Sequence, residues 1–209
     1  MKIITWLKNY WYYYKFQTFA VLAVAAIAAV LIVQGVTRTE PDLCVYLLTR
    51  DPVVYAETRN GLAERVTQYT EDFNGDGKVL VRVVNYYLGE EYEENDRETF
   101  RNAYVGGGIM LILADEYAME YLSQQQYLGQ NVSDLTSDTV FDGSAWNMKD
   151  SAFASCPQLK YLSYDLFFTL RRYNEKSWVQ ILPGTDEAFR QASETLGRII
   201  RDEAVSRNE

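Results

Sequence analysis

The residues best suited to chemistry form an acidic, glycine-rich loop, Asp72-Phe73-Asn74-Gly75-Asp76-Gly77-Lys78-Val79. Side-chain oxygens recur at Asp72, Asn74 and Asp76, a glycine follows them, and the carbonyl of Lys78 would add a fourth ligand, as in the first half of an EF-hand calcium loop. The bidentate glutamate that normally closes such a loop is a valine here. The pattern therefore predicts either a weak calcium site at these four residues or a plain helix-to-strand turn. We expect no other cofactor.

A second pair of carboxylates, Asp115 and Glu116, follows the apolar run Ile109–Leu113. If that run is a strand, the pair lies at its carboxyl end, where α/β proteins place their crevices. Acids there suit acid–base chemistry or cation binding, and with Asp72 and Asp76 they would define a carboxylate- or metal-dependent hydrolase. Adjacent acids at a helix start more often simply favour its macrodipole.

Composition excludes several kinds of site. The chain has no His, which removes the usual general base, the usual metal ligand and any Ser-His-Asp or Cys-His arrangement. Cys44 and Cys156 lie far apart in sequence and form either a disulfide or two buried thiols. Three of the 20 basic residues and none of the 29 acidic ones precede residue 37. The rest of the chain is therefore strongly acidic, which disfavours nucleic acid as a partner.

Two other groups are expected to have structural roles. Arg171-Arg172 is an isolated basic pair, which predicts an ion-pair site rather than a ligand clamp. Tyr117, Tyr121 and Tyr127 fall on a predicted helix, so packing in the core or at an interface is favoured over lining a carbohydrate or peptide cleft.

The N-terminal part of the chain predicts a membrane anchor. Residues 19–36 are apolar except for Gln34, and 18 helical residues span about 27 Å, close to the hydrocarbon thickness of a bilayer. Residues 1–18 combine aromatic rings with lysines and suit the cytoplasmic headgroup region. We expect a single-pass helix with its N-terminus in the cytoplasm, in preference to a cleaved signal peptide or a buried core helix.

After a linker at residues 37–42, alternating elements predict one extracytoplasmic α/β domain with a parallel or mixed sheet over residues 43–209. Asp96 is the expected N-cap of the second helix of this domain, Gly106-Gly107-Gly108 ends that helix, and residues 131–155 read as loop. The predicted strands are Leu43–Leu48, Lys78–Leu88, Ile109–Leu113, Tyr161–Leu170 and Trp178–Leu182, and the helices are Glu57–Glu71, Asp96–Tyr104, Glu116–Tyr127 and Asp186–Val205.

The element order over residues 43–135 resembles the first lobe of bacterial extracellular solute-binding proteins of ABC importers. The similar passages are glycine, apolar strand and aspartate in Gly107–Asp115, and Leu-Gly followed by Asp-Leu in Leu128–Leu135. The resemblance implies a lone lobe outside the membrane, with a transmembrane helix replacing the lipid tether, and it carries over no ligand residues. The anchor and the Asn-Gly-Asp-Gly loop are also similar to anchored proteins of Gram-positive anaerobes.

The sequence thus predicts a membrane-tethered, non-catalytic binding or interaction module, held in the bilayer through residues 19–36 and recognising an unidentified protein or small molecule. A reduced solute-binding component of an ABC importer is the first alternative, and the hydrolase is the second.

Overall fold

The computed structural model describes residues 2–37, 40–52, 56–89, 93–129, 131–155, 157, 165–172 and 185–206. The chain divides into two compact units, Met1–Glu40 and Pro41–Glu209. The first unit is a single helix, and the second is an α/β fold around one sheet.

Helix α1, Lys2–Thr37, is 36 residues long and includes the aromatic segment as well as the apolar one. Its stretch Tyr10–Val30 is long and apolar enough to cross a membrane, and none of it is buried inside the protein. The exposed rings of Trp6, Tyr10 and Tyr14 stack along one side at 5.7 and 5.2 Å between centroids, because residues four apart share a helix face. This exposure does not fit a core helix, whereas an anchor and a signal sequence both fit it.

The α/β unit alternates strands and helices as expected. Its elements are β1 Leu43–Thr49, α2 Ala56–Thr67, β2 Val81–Tyr87, α3 Glu93–Val105, β3 Leu111–Asp115, α4 Glu116–Gln124, a 3-10 helix Asn131–Asp134, β4 Ala145–Asn147, β5 Leu166–Leu170 and α5 Thr185–Arg201. The strands form one sheet in the order β2-β1-β3-β5-β4. β1 pairs parallel with β2 and β3, whereas β5 runs antiparallel to β3 and β4. The predicted mixed sheet is confirmed.

Both faces of the sheet are covered by helices. Alternate residues of β1, such as Val45 and Leu47, face α2 and α5, where Leu62, Val66 and Leu196 complete one core. The intervening positions face α3 and α4, in a second core built from residues that include Leu48, Phe100, Ile112, Met119 and Leu122. The alternation along each strand therefore determines which pair of helices a given side chain contacts.

Several details differ from the sequence prediction. Helix α3 begins at Glu93, so Asp96 lies inside it and accepts a hydrogen bond from the Tyr87 N–H (3.2 Å) instead of capping the helix. β3 starts at Leu111, two residues later than predicted. β4 lies within the segment read as loop, because a three-residue strand has no detectable alternation. The glycine stop after α3 is confirmed, with Gly107 at φ +81°.

Some predictions fall on other parts of the chain. The predicted strand Trp178–Leu182, the first four residues of the predicted strand Tyr161–Leu170, and Cys156 lie outside the described residues.

Candidate functional site

The connections reverse direction across the sheet at β1, because β2 lies on one side of it and β3 on the other. In open α/β sheets such a reversal leaves a crevice outside the carboxyl ends of the strands, where ligands bind. α2 follows β1 on one face of the sheet and α4 follows β3 on the other. The last residue of β3 and the residues directly after β1 and β3 define what we call the crossover edge: Arg50, Asp51, Asp115, Glu116 and Tyr117.

Asp115 holds the crossover edge together. It is 7% exposed and caps α4, since its Oδ1 accepts the Ala118 N–H at 2.9 Å. Its Oδ2 accepts the Arg50 N–H at 2.6 Å and so joins the end of β3 to the loop after β1. Burial raises the pKa of the Asp115 carboxyl, the charge of Asp51 adds to that rise, and the two N–H donors oppose it. The helix-start interpretation of Asp115 is confirmed.

The loop after β1 is tied to β2 as well. The Gly89 N–H donates to the Arg50 carbonyl at 3.1 Å, and a Cβ on Gly89 would lie 2.4 Å from that oxygen. Only glycine fits such a close backbone approach. The main chain of Arg50 is therefore fixed from both neighbouring strands, while its side chain remains exposed.

Arginine and tyrosine side chains line this edge. The Arg50 guanidinium lies over the Tyr117 ring at 5.4 Å, and that of Arg97 lies over the Tyr121 ring at 5.3 Å. Arg97 also donates to the Leu88 carbonyl (2.7 Å) and to the Tyr117 hydroxyl (2.9 Å). These bonds link α3 to the end of β2 and to the start of α4. Tyr117 and Tyr121 pack against the second core, which confirms their predicted packing role. Nothing in the sequence pairs these arginines with these rings.

No protein-family model, curated protein or solved structure matches this chain. The resemblance to solute-binding lobes therefore stays a prediction.

The acidic loop turns the chain from α2 into β2. Gly75 and Gly77 have φ of +72° and +81°, as the turn interpretation requires. The carboxylate of Asp72 accepts N–H bonds from Gly75, Asp76 and Gly77 at 2.7, 3.2 and 2.8 Å. Asn74 Oδ1 accepts the Asp76 N–H at 2.9 Å. The oxygens predicted to bind calcium therefore also shape the loop.

Within the described residues, no three His, Cys, Asp or Glu side chains lie close enough together to hold a metal ion. Asp72 and Asp76 would supply the only carboxylates of the predicted calcium site, beside the Asn74 amide and the Lys78 carbonyl. Weak calcium binding at these four residues stays a prediction.

The two acidic pairs lie at opposite ends of the parallel strands. Asp72 and Asp76 precede β2, whereas Asp115 is the last residue of β3 and Glu116 follows it. β3 has the same direction as β2. A strand of five residues is about 17 Å long, so the pairs are separated by at least that order of distance. The fold does not bring the four acids together into one site.

Asp42 is a structural residue that the sequence reading placed in the linker. It is 8% exposed, and its carboxylate accepts N–H bonds from Phe73, Asn74 and Leu80 at 2.9, 3.1 and 2.8 Å. Its own N–H donates to the Leu80 carbonyl at 2.9 Å. Asp42 thereby fixes the acidic loop to the start of β1. The only sequence signal for this structural role is the position of Asp42 directly before an apolar strand.

Cys44 is a free, half-buried thiol on β1, and burial raises its pKa. Beside it, burial raises the pKa of the Tyr46 hydroxyl to about 12. Both groups are therefore protonated at neutral pH, and neither is an activated nucleophile.

Proposed function

We propose that this protein is a membrane-tethered, non-catalytic binding module, with α1 as an uncleaved anchor, residues 1–18 in the cytoplasm and the α/β unit outside the membrane. The length, apolar composition and exposure of the α1 stretch Tyr10–Val30 support an anchor. The three lysines before it and the acidic chain after it support this orientation.

We place the binding site at the crossover edge. The observation that carries this proposal is the exposed Arg50 side chain, held at the strand reversal by a main chain that Asp115 and Gly89 both fix. Among the described residues, no carboxylate oxygen lies within 4 Å of its guanidinium, so none of these residues competes with a ligand for its N–H donors. A fixed arginine on a tyrosine ring suits a ligand with an anionic group and a flat face.

A thermal-shift screen of the full chain in a maltoside detergent tests the site, with sugars, amino acids, peptides and ions as probes. A ligand at 100 times its Kd stabilises the folded state by about 2.7 kcal/mol. We expect Arg50→Met to weaken the binding of the ligand found at least tenfold, whereas Arg82→Met, at the amino end of β2, should not. Equal loss in both variants, or no stabilising ligand in the screen, would overturn the placement.

The anchor has its own test. The chain should resist alkaline extraction from bacterial membranes, and protease added to spheroplasts should remove the α/β unit while leaving α1 protected. Release of a shortened chain into the medium would identify a cleaved signal peptide instead, and a protected α/β unit would reverse the orientation.

A reduced solute-binding component is the first alternative. It is supported by the parallel β2-β1-β3 half of the sheet, which comes from the resembling part of the chain. Physical association with an ABC permease, measured by co-purification from the native membrane, would favour it over a module that works without a transporter.

A hydrolase is the second alternative, favoured only by the raised pKa of the buried Asp115. Because both of its oxygens accept main-chain N–H groups, we assign Asp115 to structure. Hydrolytic activity in the full chain that Asp115→Asn and Glu116→Gln both abolish would support the enzyme and overturn the non-catalytic assignment.

A further inference from the structure

Arg171 is a buried cation far from the crossover edge. It follows the end of β5, and its N–H donates to the carbonyl of Met110, just before β3, at 2.9 Å. The length of β3 therefore separates Arg171 from Asp115. The residue is 9% exposed, and its guanidinium lies over the Tyr104 ring at 4.6 Å.

The predicted ion pair is not formed by this arginine within the described residues. No carboxylate oxygen there lies within 4 Å of the guanidinium, and the buried Nη1 has no hydrogen-bond acceptor. Burial lowers the pKa of Arg171, yet a guanidinium stays charged at neutral pH. A buried charge without a counter-charge is unfavourable, and the chain has 29 acidic residues that could have supplied one.

The described neighbours of Arg171 are aromatic, and the hydroxyl of the nearest ring, Tyr104, already donates one hydrogen bond and accepts another. The Tyr104 hydroxyl donates to the Tyr127 carbonyl at 2.7 Å and accepts the Arg172 N–H at 3.2 Å. The Tyr104 and Tyr127 rings stack at 4.2 Å, and Phe100 lies beside both. No neighbour in this aromatic cluster is thus an anion, and the cluster fixes the plane of the guanidinium.

We propose that Arg171 is the anchor of a second binding site, which takes the carboxylate of a small organic acid with an apolar group. A carboxylate matches the guanidinium with two parallel N–H···O bonds and would supply the missing acceptor for Nη1. A singly charged carboxylate loses less hydration in this buried setting than a phosphate or sulfate dianion does. The rings of Tyr104 and Tyr127 favour an apolar body behind the carboxylate.

The test compares benzoate, acetate, inorganic phosphate and the neutral analogue benzamide, at constant ionic strength, with the full chain in maltoside. Benzoate at 100 times its Kd should raise the melting temperature by about 5–10 °C. Acetate should bind more weakly, and benzamide and phosphate should give no comparable shift. Stabilisation by benzamide equal to that by benzoate would overturn the role of the charge.

Variants separate a ligand site from a structural one. Arg171→Met should abolish the benzoate shift while leaving the ligand-free melting temperature equal to or above that of the wild type, because it removes an uncompensated charge from the interior. Arg171→Lys should weaken benzoate binding at least tenfold, since an ammonium lacks the planar fork. Arg172→Met removes the same charge from the exposed neighbour and should change benzoate binding less than threefold.

Glu175 is the only acidic residue in residues 173–184, and Glu175→Gln tests whether it is the counter-ion of Arg171. We expect it to leave the benzoate shift unchanged. A ligand-free loss of stability in both Arg171→Met and Glu175→Gln, without any benzoate effect, would show that the chain supplies its own counter-ion and would overturn the proposal. Arg50→Met should leave benzoate binding at Arg171 intact. The failure of the Arg171 proposal can therefore be distinguished from the failure of the crossover-edge proposal.

Discussion

Replacing Asp115 by alanine should destabilise the α/β unit through two separate losses. The helix α4 loses its N-cap, which costs about 0.5–2 kcal/mol. The Arg50 N–H loses its only observed acceptor at a partly buried position, which costs about 1–3 kcal/mol. Removing a buried carboxylate with a raised pKa returns part of this free energy, so we expect a net loss of about 2–3 kcal/mol.

Equilibrium urea unfolding of the full chain in detergent measures this loss, and the melting temperature should fall by about 4–12 °C. Glu116→Ala is the matched control, because Glu116 is the exposed neighbour in the same turn and should cost less than about 1 kcal/mol. Equal losses in the two variants would refute the reasoning that Asp115 joins β3 to the loop after β1.

The pH dependence of the same site has a definite sign. Because burial raises the pKa of Asp115 above its unfolded value, the folded chain holds this proton more tightly than the unfolded chain does. The resulting stability is fully present below the unfolded pKa and is lost as the pH rises through the folded pKa. Between about pH 4 and 7, the wild type should therefore lose stability relative to Asp115→Asn. A difference that stays constant or grows in favour of the wild type would contradict the raised pKa.

The remaining predictions concern residues that support or form the acidic loop and the crossover edge. Asp42→Ala should destabilise the chain by about 2–4 kcal/mol in urea unfolding, because three N–H groups lose a buried acceptor, whereas Asp72→Ala at the exposed loop should cost about 1 kcal/mol. Gly89→Ala should cost about 1–3 kcal/mol and weaken ligand binding at the crossover edge, because its Cβ would lie 2.4 Å from the Arg50 carbonyl oxygen. Calorimetric titration should give a calcium Kd of about 10⁻⁴–10⁻³ M. Asp72→Asn should abolish calcium binding, whereas Asp138→Asn, at a distant exposed acid, should not change it. No calcium heat in the wild type would show that the loop is only a turn.

The fold class was predictable because its signals are long or chemically distinct. The apolar runs at β1 and β3 and the stripe of α5, with Ala192, Leu196 and Ile199 buried, follow directly from burial periodicity. The glycines after α3 and in the acidic loop predicted turns, because glycine adopts a positive φ without strain. Element ends were less accurate, since α2 stops at Thr67 and β3 is shifted toward the carboxylate that caps the next helix.

The site was only partly predictable because its contacts join residues distant in sequence. Asp115 was recognised as a helix start, but its bond to Arg50 spans 65 positions and has no local signature. Asp42 looked like part of a polar linker for the same reason, since its acceptors serve a loop more than 30 residues away. The aromatic partners of Arg50 and Arg97 depend on how α3 and α4 pack, which no pattern of spacing specifies.

The distribution of ion pairs gives the two proposed sites a common physical basis. Acidic residues outnumber basic ones in this chain, 29 to 20. Arg190 and Arg201 take such partners on the surface, where an ion pair adds little stability. Arg50 and Arg171 instead lie on tyrosine rings, with no described carboxylate within 4 Å. A ring fixes the plane of a guanidinium without consuming its N–H donors, so each arginine remains a positioned donor set rather than half of a finished salt bridge. In an acidic chain that combination is better suited to receiving an anion from outside than to stabilising the fold.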